Sequence, residues 1–263
     1  MELEHTIGFA DLGAEWLRLI KGGTIAGQPA VETARVSWRD TGFTGMTVGA
    51  MEDAITNGYV AEGMKVKPTA DVRPRRRSRF SEEDGELQVD LALSGSDAPF
   101  IARPKVRRAG GMTLKIELAV RATTPASVMR DYSAWLVRLI AGLQAKGIDL
   151  QIDVVSRAKV VTTKGEPVCV NVRVKRFGRR SDLKSWGAMF APGGFRMLMF
   201  CGRLMACAAH GRQLEGHFGA SVGPKWDIEH DRATQTLTVK CAAQTTRFPT
   251  EMMDARLAEL GVI

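Results

Sequence analysis

The stretch from Leu114 to Val155, LKIELAVRATTPASVMRDYSAWLVRLIAGLQAKGIDLQIDVV, decides the fold. Its first residues alternate between apolar and polar side chains, which is typical of a strand with one buried face. Apolar residues then recur at helical spacing from Ala126 to Lys146, and the following glycine is a favourable helix end. A second apolar strand begins at Ile148. Strand, helix and strand in this order predict a βαβ unit, whose two strands are parallel and joined by a right-handed crossover.

Elements on either side of this unit predict an α/β protein with a mixed sheet and flanking helices. Alternation predicts another strand at residues 168–174, and residues 227–239 have the pattern of a β-hairpin. Residues 195–209 are apolar almost all round, so we expect a buried, central helix there. A last helix is predicted at residues 249–260.

The N-terminal part predicts a helical extension. Apolar residues at helical spacing between Ile7 and Lys21 stop at a pair of glycines, and a Gly- and Pro-containing stretch follows. Thr47 fits the N-cap position of a short helix that ends before Asn57-Gly58. We therefore expect residues 1–36 to form an N-terminal helical arm and residues 37–263 a single α/β domain.

Composition is that of an ordinary globular protein, with 44% apolar and 25% charged residues. No apolar run approaches the roughly 20 residues that span a bilayer, so no membrane partner is expected. The first residues have neither a basic nor an apolar segment of a secretory signal, which favours a cytoplasmic location. The four cysteines are scattered among apolar residues and are interpreted as reduced core thiols.

The charge balance is the strongest functional clue. The formal net charge is +8, and such an excess favours polyanionic partners. Basic residues concentrate in loops at residues 64–80 and 101–109, and again at residues 173–180. The side chains predicted to contact nucleic acid are Arg73, Arg75, Arg76, Arg77, Arg79, Phe80, Arg107, Arg108, Arg176, Arg179, Arg180 and Trp38.

These residue types suit a single strand. Each guanidinium that contacts a phosphate adds affinity through counterion release, and aromatic rings such as Phe80, Trp38 or Phe43 stack on bases. The alternative is that the arginines are solvated and pair with the acidic turn at residues 82–86. Whether the basic groups share one face is a question that the sequence leaves open.

No set of residues predicts catalysis, a metal or a cofactor. Cys201 and Cys207 are six residues apart in an apolar helix, which does not fit a zinc site even with His210 and His217 nearby. Residues 219–223 match Gly-x-Ser-x-Gly, but Pro224 and a predicted hairpin follow instead of the helix that a nucleophile elbow needs. We therefore predict no catalytic residues.

Two resemblances to known families bear on the fold and the function. The strand, hydroxyl-rich turn and long helix resemble the start of a von Willebrand A-type domain, which binds a divalent cation through Asp-x-Ser-x-Ser. Here the turn at residues 122–127 has hydroxyls but no aspartate, so the resemblance implies such a core without its metal. Residues 38–63, with Phe43-Thr44-Gly45, and the Arg-bearing segment at residues 195–200 are similar to an uncharacterised family from phages and mobile elements. That resemblance implies a cytoplasmic protein acting in infection or replication.

Three classes of function remain. The first is an accessory protein that binds single-stranded DNA or RNA without sequence preference. The second is a protein-interaction adaptor or virion component without catalytic activity, and the third is an enzyme of unfamiliar type. Charge favours the first, while homo-oligomerisation stays open.

Overall fold

The computed structural model describes residues 3–59, 79–81, 86–87, 100–102, 109–118, 123–159, 167–178, 187–214, 220–221, 225–241 and 246–262. Within these ranges the strands are β1 (Leu3–Gly8), β2 (Arg79–Ser81), β3 (Glu86–Leu87), β4 (Phe100–Ala102), β5 (Ala109–Glu117), β6 (Ile148–Lys159), β7 (Pro167–Lys175), β8 (Ala220–Ser221), β9 (Asp227–Asp231) and β10 (Thr236–Lys240). The helices are α1 (Phe9–Ile20), α2 (Ala30–Arg39), α3 (Thr41–Thr44), α4 (Val48–Asn57), α5 (Ala126–Ala145), α6 (Met199–Ala209) and α7 (Thr250–Glu259).

The predicted βαβ unit is confirmed and forms the middle of a mixed sheet. β5 and β6 are parallel neighbours, with Leu114 opposite Ile152, and α5 connects them. The strand order is β1-β7-β6-β5-β10-β9, and β8 pairs with the far end of β6. β7 is antiparallel to β6, β10 is parallel to β5, and β9 with β10 forms the predicted hairpin. The fold class is therefore α/β, as the sequence predicts. A second, three-stranded sheet has the order β2-β4-β3.

The two sides of the large sheet differ in chemistry. Because successive side chains of a strand point to opposite sides, the alternation in β5, β6 and β7 separates apolar from polar residues. Leu114, Ile152 and Val170 belong to the apolar side and are fully buried. Asp153 and Asn171 belong to the polar side and are also buried. The sheet is thus polar on one side without being fully exposed there.

The helices that contact the sheet pack on its apolar side. α6 lies so close to β7 that a Cβ on Gly202 would come within 3.0 Å of Val170 Cγ1. The Tyr132 hydroxyl of α5 donates to the Glu117 carbonyl oxygen at 3.1 Å, which fixes α5 over β5. Leu12 and Trp16 of α1 are fully buried in the same core.

The helices predicted near the N-terminus are present, but a separate arm is wrong for residues 3–20. β1 is the edge strand of the large sheet, parallel to β7 from Leu3 opposite Val168 to Gly8 opposite Arg173. Trp16 of α1 is a core residue. The local sequence pattern predicts α1. It does not predict the pairing of β1, because the parallel partner β7 lies far along the chain.

The predicted central helix begins with a different geometry. A 3-10 turn (Gly187–Phe190) and a π-helical turn (Gly194–Leu198) precede α6, and residues 187–204 are all buried. A Cβ on Gly193 would lie 2.7 Å from Met46 Sδ, so this glycine permits close packing. The predicted cap of α4 is confirmed, since Thr47 Oγ1 accepts from the Ala50 amide at 3.1 Å. Among the described helices, none has the length and apolar character that crossing a membrane requires.

Candidate nucleic-acid interface

The turn that follows β7 is held by one buried lysine and one aspartate. Lys175 Nζ donates to the Leu150 carbonyl oxygen at 2.6 Å and lies 3.3 Å from Asp149 Oδ1. The other carboxylate oxygen of Asp149 accepts from the Gly178 amide at 2.7 Å. Gly178 has a φ of +72°, a conformation that favours glycine. These contacts fix the backbone of residues 176–178, here called the basic turn.

The basic turn presents a cation and an aromatic ring next to one another. Arg176 is exposed, and its side chain makes no ion pair with any residue that the structure describes. Phe177 is 44% exposed, which makes it one of the few large apolar side chains on the described surface. Because hydrogen bonds hold the backbone that carries both side chains, little backbone entropy is lost when a ligand contacts them.

The ring of Phe177 rests on the start of β5. A Cβ on Gly111 would come within 2.9 Å of Phe177 Cε1, so glycine leaves room for the ring there. β5 begins at Ala109, the residue that directly follows Arg107 and Arg108 in the sequence. On the other side of the contact, Gly178 is directly followed by Arg179 and Arg180. The contact between Phe177 and Gly111 therefore joins two parts of the chain that each adjoin a pair of arginines in the sequence.

Two other cations near the turn are already neutralised. Arg173 Nε donates to Asp153 Oδ1 at 2.8 Å, and this hydrogen bond raises the pKa of Arg173 above its usual value. Asp153 is buried and also accepts from Gln151 Nε2 at 3.0 Å. Arg173 and Lys175 thus stabilise the polar side of the sheet, and Arg176 is the member of the described 173–176 segment that is left to meet a ligand.

A groove of about 860 Å³ opens beside the basic turn. β7 extends two residues beyond its pairing with β1, and no described strand pairs with that edge. The groove lies there, between residues 173–176, the N-terminal half of α1 and the end of α4. We call it the α1–β7 groove. Asp11, Ala14 and Thr56 are among its lining residues.

The prediction that Trp38 contacts nucleic acid is wrong. Its side chain is completely buried, and its ring lies 6.1 Å from that of Trp16 in the core. Phe43, the other aromatic candidate of that segment, stacks on Phe200 at 5.8 Å. The guanidinium of Arg196 lies 4.7 Å from the centre of the Phe43 ring. Both aromatics belong to internal packing because α2 and α3 turn their apolar faces to the π-helical turn and α6.

Most of the remaining predicted contacts lie outside the residues whose side chains are described. Arg79 and Phe80 form part of β2, where they pair with Ala102 and Ile101 of β4. The others fall outside the described ranges: Arg73, Arg75, Arg76, Arg77, Arg107, Arg108, Arg179 and Arg180. Their predicted role stays a prediction.

The cysteine and histidine residues near α6 do not form a metal site in the described ranges. Cys201 and Cys207 are buried in the core, and burial raises the pKa of both thiols, that of Cys207 to about 11. Thiols of this kind are poor nucleophiles and poor metal ligands. No group of three or more ligating side chains gathers among the described residues.

Sequence reasoning missed Phe177 and Asp149. The available signal for Phe177 was its position between Arg176 and Gly178, because an aromatic residue beside cations and a glycine is typical of an exposed turn. Asp149 has the sequence character of an ordinary acid at a strand end, and its bond to the Gly178 amide becomes visible only once β6 and β7 are paired.

The match to a family model includes most of these features. The model is described as a domain of unknown function, DUF7192, and it matches residues 32–239. The chain belongs to the DUF7192 family. The DUF7192 match runs from α2 into β10 and so contains the basic turn, Gly111 and two buried arginines, Arg196 and Arg203. No curated protein and no solved structure matches the chain.

Proposed function

We propose that this DUF7192 protein is an accessory protein of phage or mobile-element origin that binds single-stranded nucleic acid without sequence preference. The proposed interface consists of the basic turn, of Arg179 and Arg180, which directly follow it in the sequence, and of Arg107 and Arg108, which directly precede β5. No catalytic step is proposed.

The contact between Phe177 and Gly111 is the observation that carries this proposal. It joins the basic turn to the strand that directly follows Arg107 and Arg108. Cations from two segments can thereby act on one ligand, and the affinity of a polyanion grows with each phosphate that is neutralised.

The exposed ring of Phe177 favours a single strand over a duplex. In a duplex the faces of the bases are stacked on one another, whereas an unpaired base offers its face to an aromatic side chain. Every base has such a face, so stacking gives affinity with little sequence preference.

The test is fluorescence anisotropy with labelled single-stranded and duplex oligonucleotides, titrated at several salt concentrations. We expect the single strand to bind more tightly, with an affinity that falls steeply between about 50 and about 200 mM salt. Arg176→Ala should weaken binding to all sequences and lower the salt slope by about 1. Phe177→Ala should cost about 1–3 kcal/mol of binding free energy, the usual value of one stacked base.

Arg138→Ala is the matched control. Arg138 is an exposed arginine in the middle of α5, on the helical side of the sheet, so its removal changes the net charge equally. If Arg138→Ala weakens binding as much as Arg176→Ala, the attraction is general and the basic turn is not the interface. If no oligonucleotide binds even at low salt, the proposal fails and the adaptor or virion role becomes the better explanation.

A further inference from the structure

The α1–β7 groove has a wall of small side chains. Gly13 and Ala14 face it from α1, and the Cβ of a side chain at position 13 would lie 3.1 Å from Ile55 Cγ2. Its volume of about 860 Å³ falls within the range of about 300–1,000 Å³ that is usual for small-molecule sites, so one flat base fits within it. The exposed Arg176 belongs to both the groove and the basic turn, so a strand bound at the turn has a base within reach of the groove.

Besides Arg176, the free charge that lines the groove is a carboxylate and not a second cation. Arg173 forms an ion pair with Asp153, and Lys175 forms one with Asp149. Asp11, in the first turn of α1, is exposed and has no ion pair with any residue in the described ranges. Its Oδ2 lies 2.8 Å from the position that a Cβ on Gly8 would occupy, and both residues line the groove.

We infer that the α1–β7 groove takes one unpaired base of the bound strand, with Asp11 as the acceptor for an exocyclic amino group. The inference rests on the proposed function, that a single strand binds at the basic turn, and replaces its lack of sequence preference with a preference for cytosine or adenine at one position of the strand. Cytosine and adenine carry an amino group on the edge that Asp11 would meet, whereas thymine and uracil carry a carbonyl oxygen at that position. Arg176 then contacts a phosphate beside the inserted base.

The same geometry argues against a phosphate inside the groove. The positive N-terminus of α1 attracts anions, but the carboxylate of Asp11 already occupies its first turn and repels a second negative group. A neutral, flat group fits beside the small side chains, and its N–H donors can form hydrogen bonds to the free carboxylate.

The experiment compares labelled oligo-dC, oligo-dA and oligo-dT of equal length in the same anisotropy assay. We expect oligo-dC and oligo-dA to bind about 10-fold more tightly than oligo-dT, the usual effect of one specific hydrogen bond to a charged group. Asp11→Asn should remove most of this difference, because its amide also donates to the thymine carbonyl oxygen.

Ala14→Leu fills the groove, and Ala258→Leu is its matched control. Both alanines are exposed on helices, and leucine keeps a high helix propensity. Ala14→Leu should reduce the affinity for oligo-dC to that for oligo-dT, while Ala258→Leu leaves it unchanged. Circular dichroism and thermal unfolding verify that each variant folds, and Asp11→Asn tests the same site without adding bulk.

The outcomes separate this inference from the proposed function. Equal affinity for all three oligonucleotides, unchanged by Ala14→Leu and Asp11→Asn, overturns the base-binding groove and leaves the basic turn as the interface. The absence of any binding at low salt overturns both.

Discussion

Arginine has opposite roles on the two parts of this molecule. On the helical side of the sheet, Arg196 and Arg203 are buried, and burial lowers the pKa of each to about 10. Arg203 donates to Ser156 Oγ through Nε at 3.0 Å, and Arg196 donates to the Thr124 carbonyl oxygen at 2.6 Å. At the end of the sheet, Arg176 is exposed on a rigid turn. The first two arginines organise the core, and the third is available to a ligand.

The difference shows how little a net charge says about a surface. The value of +8 counts all arginines equally, whether they are buried like Arg203, paired like Arg173 or exposed like Arg176. A buried arginine adds nothing to the attraction of a polyanion through direct contact, because a phosphate cannot reach it. Affinity for nucleic acid therefore depends on where the cations lie.

The largest effect is expected from the aromatic residue that belongs to the interior. Trp38→Ala should lower the free energy of unfolding by about 3–5 kcal/mol, because it removes a fully buried indole that packs on Trp16. Urea denaturation measures this loss. Phe177→Ala, at the exposed end of the sheet, should change stability by much less, and equal losses would contradict the division between interior and surface aromatics.

A smaller effect is expected from the buried arginine. Arg203→Ala should lower the free energy of unfolding by about 3 kcal/mol, since it leaves a cavity and takes the donor away from the buried Ser156 hydroxyl. Arg203→Met keeps most of the volume and removes the cost of burying a charge, so it should lose less than half as much. Arg176→Ala should leave the unfolding midpoint unchanged, and a loss as large as that of Arg203→Ala would end the distinction between the two roles.

The smallest effect concerns an ion pair on the polar side of the sheet. Glu117 accepts from Arg157 at 2.6 Å, yet burial raises the pKa of its carboxyl above 4.5. A folded-state pKa above the unfolded one means that the folded protein binds the proton more tightly, so stability falls as pH rises from about 4.5 through the folded-state pKa. The unfolding free energy of the wild type, relative to Glu117→Gln, should therefore increase as the pH is lowered towards about 4.5. A relative decrease would indicate that the pairing with Arg157 outweighs burial.

The local patterns of the sequence predicted the elements but not their exposure. The βαβ unit, the hairpin and the Thr47 cap were predictable because each has a signal within a few residues. The exposure of Trp38 was not, because its burial depends on Trp16, which lies in a different helix. The π-helical turn before α6 was missed for a similar reason, since the glycine that precedes it, Gly193, is required by Met46 and Met51, which lie far away in the sequence.

The candidate site was predicted in part. Arg176 was among the predicted contacts, but Arg173 and Lys175 have the same sequence character and are engaged by Asp153 and Asp149. Which of these three cations has an acidic partner depends on the pairing of β6 with β7, which the sequence pattern does not give.

The position of β1 at the sheet edge has a consequence for synthesis. β1 is translated before its only partner among the described strands, β7, which follows about 160 residues later, roughly 10–30 s at usual rates. β5 can pair with β6 before β7 is synthesised. The backbone of β1, in contrast, cannot pair with β7 until then. Closure of this edge is therefore a late event of folding on the ribosome, and the α1–β7 groove is complete only after it.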